Sequence, residues 1–256
     1  MTDFWSPLRA TTQARIGLGR AGDGLPTKSV LEFRAAHAAA RDAVHQPLDV
    51  DSFAEEIERL GLGAPSVVRS KVSTRGEYLR RPDLGREPGE MDLAHPAADV
   101  AVVLADGLSP RALHDHGASL LSAIIQTIGD AYSFAPPVIA TSARVALGDH
   151  IGFALGAEIL VVIIGERPGL SVADSLGIYL TYQPRPGCAD SERNCISNIH
   201  PPDGLGYMEA ARIVRSLIRG ARELGRSGVD LKDTSRSELS ATLQPSDALT
   251  GQEEKK

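Results

Sequence analysis

The sharpest chemistry in the chain is a charged pair set between glycines. In Gly165-Glu166-Arg167-Pro168-Gly169, Gly165 allows close backbone approach, Pro168 fixes φ and Gly169 permits a left-handed turn. Glu166 can accept hydrogen bonds from a ligand or act as a general base. Its plainer role is a salt bridge to Arg167 or to another basic side chain. Asp106, before Gly107, can bind a ribose, an amide or a cation, or it can cap the amides of the helix that follows. Cys195, within Arg193-Asn194-Cys195-Ile196-Ser197-Asn198, can act as a thiolate, but no histidine is placed by the sequence to activate it. His200 is near it only along the chain. A small, soft wall for packing or for a ligand is the better use of such a cysteine.

Other chemistry-bearing stretches are weaker. Gly17-Leu18-Gly19-Arg20-Ala21-Gly22 has the form GxGxxG, but Thr11–Ile16 before it is too polar for a central strand, and Asp23-Gly24-Leu25-Pro26 after it is a turn. A dinucleotide fingerprint needs a strand before and a helix after, so a compact glycine loop is the better description, and a nicotinamide-linked oxidoreductase is the rival it leaves. Arg75–Arg86 gathers basic residues around Tyr78, which suits either an anionic ligand or partner surface or a solvated connecting loop. His37 and His45 are too far apart along a helix to share a metal, and His114 and His116, two apart on a helix, point to different faces. The chain has no Walker A, HExxH or GxSxG motif. A self-contained hydrolase therefore has little support.

These residues need a frame. Ile159–Ile164 is six apolar residues, mostly β-branched, without alternation, which predicts a strand buried on both faces, as in a parallel sheet covered by helices. The same logic predicts strands at Val100–Ala105, Val138–Thr141 and Leu176–Tyr182. Between and after them the spacing predicts helices: one capped by Ser109, with Pro110 first, to Ile128; one at Asp149–Leu155; and an amphipathic one at Tyr207–Leu224. Alternating strands and helices imply a Rossmann-like or flavodoxin-like α/β domain with a parallel sheet. Asp106-Gly107, Ser142–Val145, Gly165–Gly169 and the Arg193–Asn198 loop would then share one rim, where open α/β sheets bind ligands.

Earlier in the chain, Thr27 is read as the cap of a helix to His45. Asp51 or Ser52 starts a second helix to Leu60, and Val67–Val72 is a short strand. The proline-bearing stretch 87–98 marks the boundary. The expected organisation is a mainly helical region with a glycine loop at 1–95, the α/β domain at 96–233, and a Ser-, Thr-, Asp- and Glu-rich disordered tail at 234–256.

The chain has 256 residues, of which 42% are hydrophobic, enough for a sizeable core. A formal net charge of −6 argues against a nucleic-acid binder. The start has no apolar stretch of a secretory signal, and no run approaches the ~20 apolar residues of a membrane helix. Two cysteines, Cys188 and Cys195, suit a reducing, cytoplasmic compartment.

Taken together, several stretches resemble one family. ADGLS (Ala105–Ser109), RVALGD (Arg144–Asp149), GERPGL (Gly165–Leu170) and RNCISNI (Arg193–Ile199) are similar to the small subunit of ethanolamine ammonia-lyase. So are TQARIGLGRAG (Thr12–Gly22), LEFRAAHAAARDAV (Leu31–Val44) and YLRRPDLGR (Tyr78–Arg86). They occur in the family's order from about Pro7 to Lys232, and GERPGL and RNCISNI are the specific ones.

The resemblance implies one subunit of a heteromeric, adenosylcobalamin-dependent lyase that converts ethanolamine to acetaldehyde and ammonia. It implies homolysis of the cobalt–carbon bond and hydrogen abstraction by an adenosyl radical. Substrate and principal catalytic groups would belong to the large subunit, and this chain would hold cobalamin at the interface through Val145, Glu166 and Cys195. With no DxHxxG motif, the cofactor is expected to keep its own base on cobalt. The family's setting is cytoplasmic, in some relatives within a bacterial microcompartment. The chain starts close to the core, without the long N-terminal extension some relatives carry. Cys188 and the tail fall outside the pattern.

Overall fold

The computed structural model describes residues 4–94 and 97–235. The tail expected from residue 234 lies, from 236 on, outside the described residues. Helices α1 (Ser6–Arg9), α2 (Thr27–His45) and α3 (Val50–Glu58) come first, then β1 (Ser66–Arg69) and α4 (Arg75–Arg80). The order continues β2 (Val100–Ala105), α5 (Pro110–Ile128), β3 (Val138–Thr141), α6 (Leu147–Ala154), β4 (Ile159–Gly165), β5 (Leu176–Tyr182), β6 (Arg193–Ile199) and α7 (Tyr207–Leu224).

The six strands form one sheet in the order β1-β3-β2-β4-β5-β6. The strands β1, β3, β2 and β4 are mutually parallel. β5 runs antiparallel to β4, and β6 antiparallel to β5. The sheet is therefore mixed, which corrects the wholly parallel sheet expected from the strand–helix alternation. The reason lies in the link from Glu166 to Ser175. Those ten residues hold no helix, and a parallel return needs a crossover of a dozen or more, usually helical. Two further expectations change. Arg193–Ile199 is a strand, not a loop, and β1 joins the same sheet at its far edge.

Local chemistry explains the elements. Ser109 caps α5 by accepting from the Ala112 amide, with Pro110 at the first position. Asp49, not Asp51 or Ser52, caps α3, accepting from the Ser52 amide. Thr27 is the first residue of α2, and Pro26 stands at its cap without a side-chain bond. Thr74 caps α4 by accepting from Glu77. β2 and β4 are buried along their whole length.

Two apolar clusters sandwich the sheet. One joins α5 and α7 to Val102, Leu104, Val161, Ile163, Ile178 and Ile196. The other joins α6 to Val103, Ala140, Leu160 and Val162. Each fully buried aliphatic side chain contributes about 1.5–3 kcal/mol relative to exposure. The second cluster ends near β4, and beyond it the same face of β5 and β6 carries Tyr179 and the exposed Cys195.

Candidate functional site

Strand order reverses around β2, since the chain leaves β2 for β3 on one side and returns from β3 to β4 on the other. The carboxyl ends of β2, β3 and β4 therefore splay apart at a crevice, the usual ligand position in open α/β sheets. A cleft of about 440 Å³ opens there, lined by Leu108, Arg144, Val145, Ile164, Glu166 and Tyr179 among others.

Its floor is backbone. Gly107 has φ +53°, and a Cβ there would lie 2.2 Å from the Gly165 carbonyl oxygen. A Cβ on Gly165 would in turn lie 2.1 Å from the Ser109 carbonyl oxygen. The Leu108 amide donates to the Gly165 carbonyl at 3.0 Å. Only glycine at both positions lets the turns after β2 and β4 close on each other.

Glu166 stands at one wall, half-buried. The Ser175 hydroxyl donates to its carboxylate at 2.6 Å, and the Asn198 amide lies 3.3 and 3.2 Å from its two oxygens. Gly177 of β5 leaves room beneath it: a Cβ there would be 3.2 Å from Oε1. The salt bridge to Arg167 weighed from the sequence is not formed, and Arg167 is exposed. Glu166 thus joins the ends of β4, β5 and β6. An ionised carboxylate offers about four acceptor sites, so it can still take donors from a ligand.

Tyr179, opposite Cys195 in the β5–β6 ladder, forms the next piece of wall. The Tyr179 pKa is pushed up to about 12, by burial first and then by Cys195 and Glu166. Burial also raises the Cys195 thiol, with Glu166 adding to the rise and Tyr179 opposing it. A thiol that is slow to ionise is a poor nucleophile and a suitable contact surface. The structure thus brings Val145 and Glu166 into one cleft and sets Cys195 beside it through Tyr179.

Asp106 is buried and serves the scaffold. It accepts from the Ser142 amide at 2.8 Å, the Ala143 amide at 3.0 Å and Arg75 at 3.3 Å. Burial pushes its pKa up, against the pull of Arg75 and of those amides. The amides it holds belong to the turn before α6, not to the helix after β2 that the sequence suggested. The basic stretch around Tyr78 is no solvated loop either. Tyr78 is fully buried, donates to the Ala143 carbonyl at 2.8 Å, and has the guanidiniums of Arg75 and Arg144 at 4.6 and 4.4 Å from its ring centre. Burial raises its pKa, helped by Asp106 and opposed by Arg144 and Arg75.

Sequence reasoning did not single out Tyr179, or Arg144 by itself. A tyrosine between Ile178 and Leu180 was the one available sign for Tyr179. Two of the family-like stretches meet elsewhere: Arg193, at the head of β6, forms a buried ion pair with Asp149 of α6 and donates to the Cys188 carbonyl at 2.9 Å. That pair ties the strand to the helix and lies off the cleft lining. The glycine loop at Gly17–Gly22 follows α1 and no strand, and Trp5 packs where a Cβ on Gly17 would lie. This context removes the dinucleotide fingerprint. Among the described residues no three His, Cys, Asp or Glu side chains gather as a metal site, and no helix is long and apolar enough to cross a membrane.

Fold and cleft together define an α/β protein with a cleft at the open rim of its sheet. Comparison with known proteins narrows this further. Residues 2–232 match the family described as ethanolamine ammonia-lyase light chain. The chain is similar to the ethanolamine ammonia-lyase small subunit of Rhodococcus erythropolis, 66% identical over 241 residues covering 94% of both chains. It is also similar to those of Rhodopseudomonas palustris, 48% over 244 residues and 93% of both, and Ralstonia nicotianae, 45% over 245 residues, 92% of this chain and 90% of the relative. The chain belongs to the ethanolamine ammonia-lyase small-subunit family.

Proposed function

We propose that this chain holds adenosylcobalamin at an interface with the large subunit of ethanolamine ammonia-lyase, with Val145, Glu166 and Cys195 as its contacts. The observation that carries this is the convergence of Val145 and Glu166, from two separate strand ends, on one cleft whose chemistry suits the ligand, with Cys195 of β6 beside it across from Tyr179. Cobalamin is edged by neutral amides and hydroxyls. Glu166 offers them acceptors, Val145, Leu108 and Ile164 offer apolar contact, and Cys195 offers a soft wall.

A corrin with its nucleotide tail is larger than a cleft of about 440 Å³, so this chain covers only an edge and a partner must cover the rest. When bound, adenosylcobalamin supplies the radical chemistry that turns ethanolamine into acetaldehyde and ammonia. The tasks left to this chain are to orient the group and to exclude water. Ethanolamine is bound mainly by the large subunit, no catalytic residue is assigned here, and the assembly is a hetero-oligomer in the cytoplasm.

The test is ammonia release from ethanolamine with adenosylcobalamin and the matching large subunit, with and without this chain. Release that depends on the chain is expected. Equal release in its absence, or none from demonstrably assembled protein, would sink the reading.

A further inference from the structure

Arg144 is a cation without a counter-ion. It lines the cleft, its side chain is half-buried, and it forms no ion pair among the described residues. Its Nε is buried without a hydrogen-bond partner, and its one polar side-chain contact is a long bond from Nη2 to the Tyr78 carbonyl at 3.4 Å. The residue is nevertheless firmly held. Its amide donates to the Gly85 carbonyl at 2.8 Å, and its guanidinium stacks on Tyr78 at 4.4 Å.

Arg75 also lies over the Tyr78 ring, 4.6 Å from its centre. Two guanidiniums therefore share one buried ring, and Arg75 is paired with the buried Asp106. Asp106 is already engaged by Arg75 and by the amides of Ser142 and Ala143. Burial lowers the pKa of Arg75; Asp106 and Tyr78 oppose this, and Arg144 adds to the lowering. A second anion would relieve this like-charge pair, and the cleft is where it can enter. Glu166, on the opposite side, is held by Ser175 and Asn198, so the cleft has one acceptor wall and one donor wall. Arg167 is exposed.

We propose that Arg144 anchors the phosphodiester in the nucleotide tail of cobalamin, so that the cleft fixes which way round the ligand lies. Amides of the corrin edge face Glu166, and the one anionic group of the periphery faces the guanidinium, whose planar fork matches two phosphate oxygens. This rests on the cobalamin reading above. A carboxylate of the partner subunit is the other source of a suitable anion.

The experiment compares cyanocobalamin with cobinamide, the corrin lacking phosphate, ribose and base. The complex with the large subunit is rebuilt with wild-type chain, Arg144→Met or Arg144→Lys, and retained corrin is read by absorbance. Arg144→Met should weaken cobalamin binding by roughly ten- to a hundredfold and leave cobinamide binding unchanged. Arg144→Lys, which keeps the charge and loses the fork, should weaken cobalamin alone by a smaller factor, and it decides the case if the methionine variant does not fold.

Equal losses for the two ligands, or no loss for either, would overturn the proposal and reduce Arg144 to support for its turn. Loss of subunit assembly with unaltered corrin preference would overturn it in favour of a partner carboxylate. A wild-type complex that binds neither corrin would fail the cobalamin reading itself, a result separate from all of these.

Discussion

From β1 to β4 the sheet is parallel, and β2 and β4 are closed on both faces by α5 and α6. β5 and β6 are antiparallel and rest on α7 on one face only, which leaves Tyr179 and Cys195 open beside the cleft. Polar groups behave differently in the two parts. In the covered part, Asp106 satisfies fixed amides and holds two turns together. In the open part, Glu166 keeps acceptor capacity and Cys195 keeps exposed surface. A carboxylate thus serves the scaffold where the sheet is covered, and where it is not it borders the cleft proposed to take a ligand. The difference is made by the absence of a helix between β4 and β5.

Arg193 is where the two parts join, and its loss should show the largest effect. Replacing it by methionine leaves Asp149 buried without its partner, and denaturant titration should show a loss of about 3–5 kcal/mol. The double replacement with Asp149→Leu should recover much of this. If it does not, the pair is more than a structural tie.

Glu166→Ala should sharpen the contrast. Two donors, the Ser175 hydroxyl and the Asn198 amide, lose a half-buried carboxylate, for about 1 kcal/mol of stability, while cobalamin retention in the assembled enzyme should fall tenfold or more. A stability loss with unaltered retention would put Glu166 on the scaffold side of the comparison.

Cys195→Ala should have the smallest effect, a few tenths of a kcal/mol and a few-fold change in retention. Its thiol, raised mainly by burial, should react with iodoacetamide more slowly than a free cysteine at neutral pH and speed up as the pH rises. Cobalamin should protect it in the complex. Labelling indifferent to cobalamin would remove Cys195 from the contact set.

Much of the covered part is legible in the residues. Unalternated aliphatic runs mark β2 and β4, and Ser109-Pro110 marks the start of α5, because burial on both faces and helix capping leave direct traces. β6 is harder to see. Arg193-Asn194-Cys195-Ile196-Ser197-Asn198 hides its alternation, because Arg193 is buried by an ion pair and Asn198 has φ +61°. The direction of β5 was readable in principle, since Glu166–Ser175 is too short and too rich in turn residues for a crossover helix. Val145 and Glu166 were placed on one rim by strand ends alone. The partners of Glu166 were not, because Asn198 reaches it only once β6 has paired with β5.

That last contact also acts as a check on alignment. Side chains alternate along a strand, so a slip of β6 by one residue would turn Cys195 inward beneath α7 and put Ile196 in solvent. It would also carry the Asn198 amide away from Glu166. A chain misassembled at the proposed ligand edge is therefore misassembled in its interior as well. Proofreading that rejects molecules with exposed apolar surface would discard the faulty ligand edge without ever testing for the ligand.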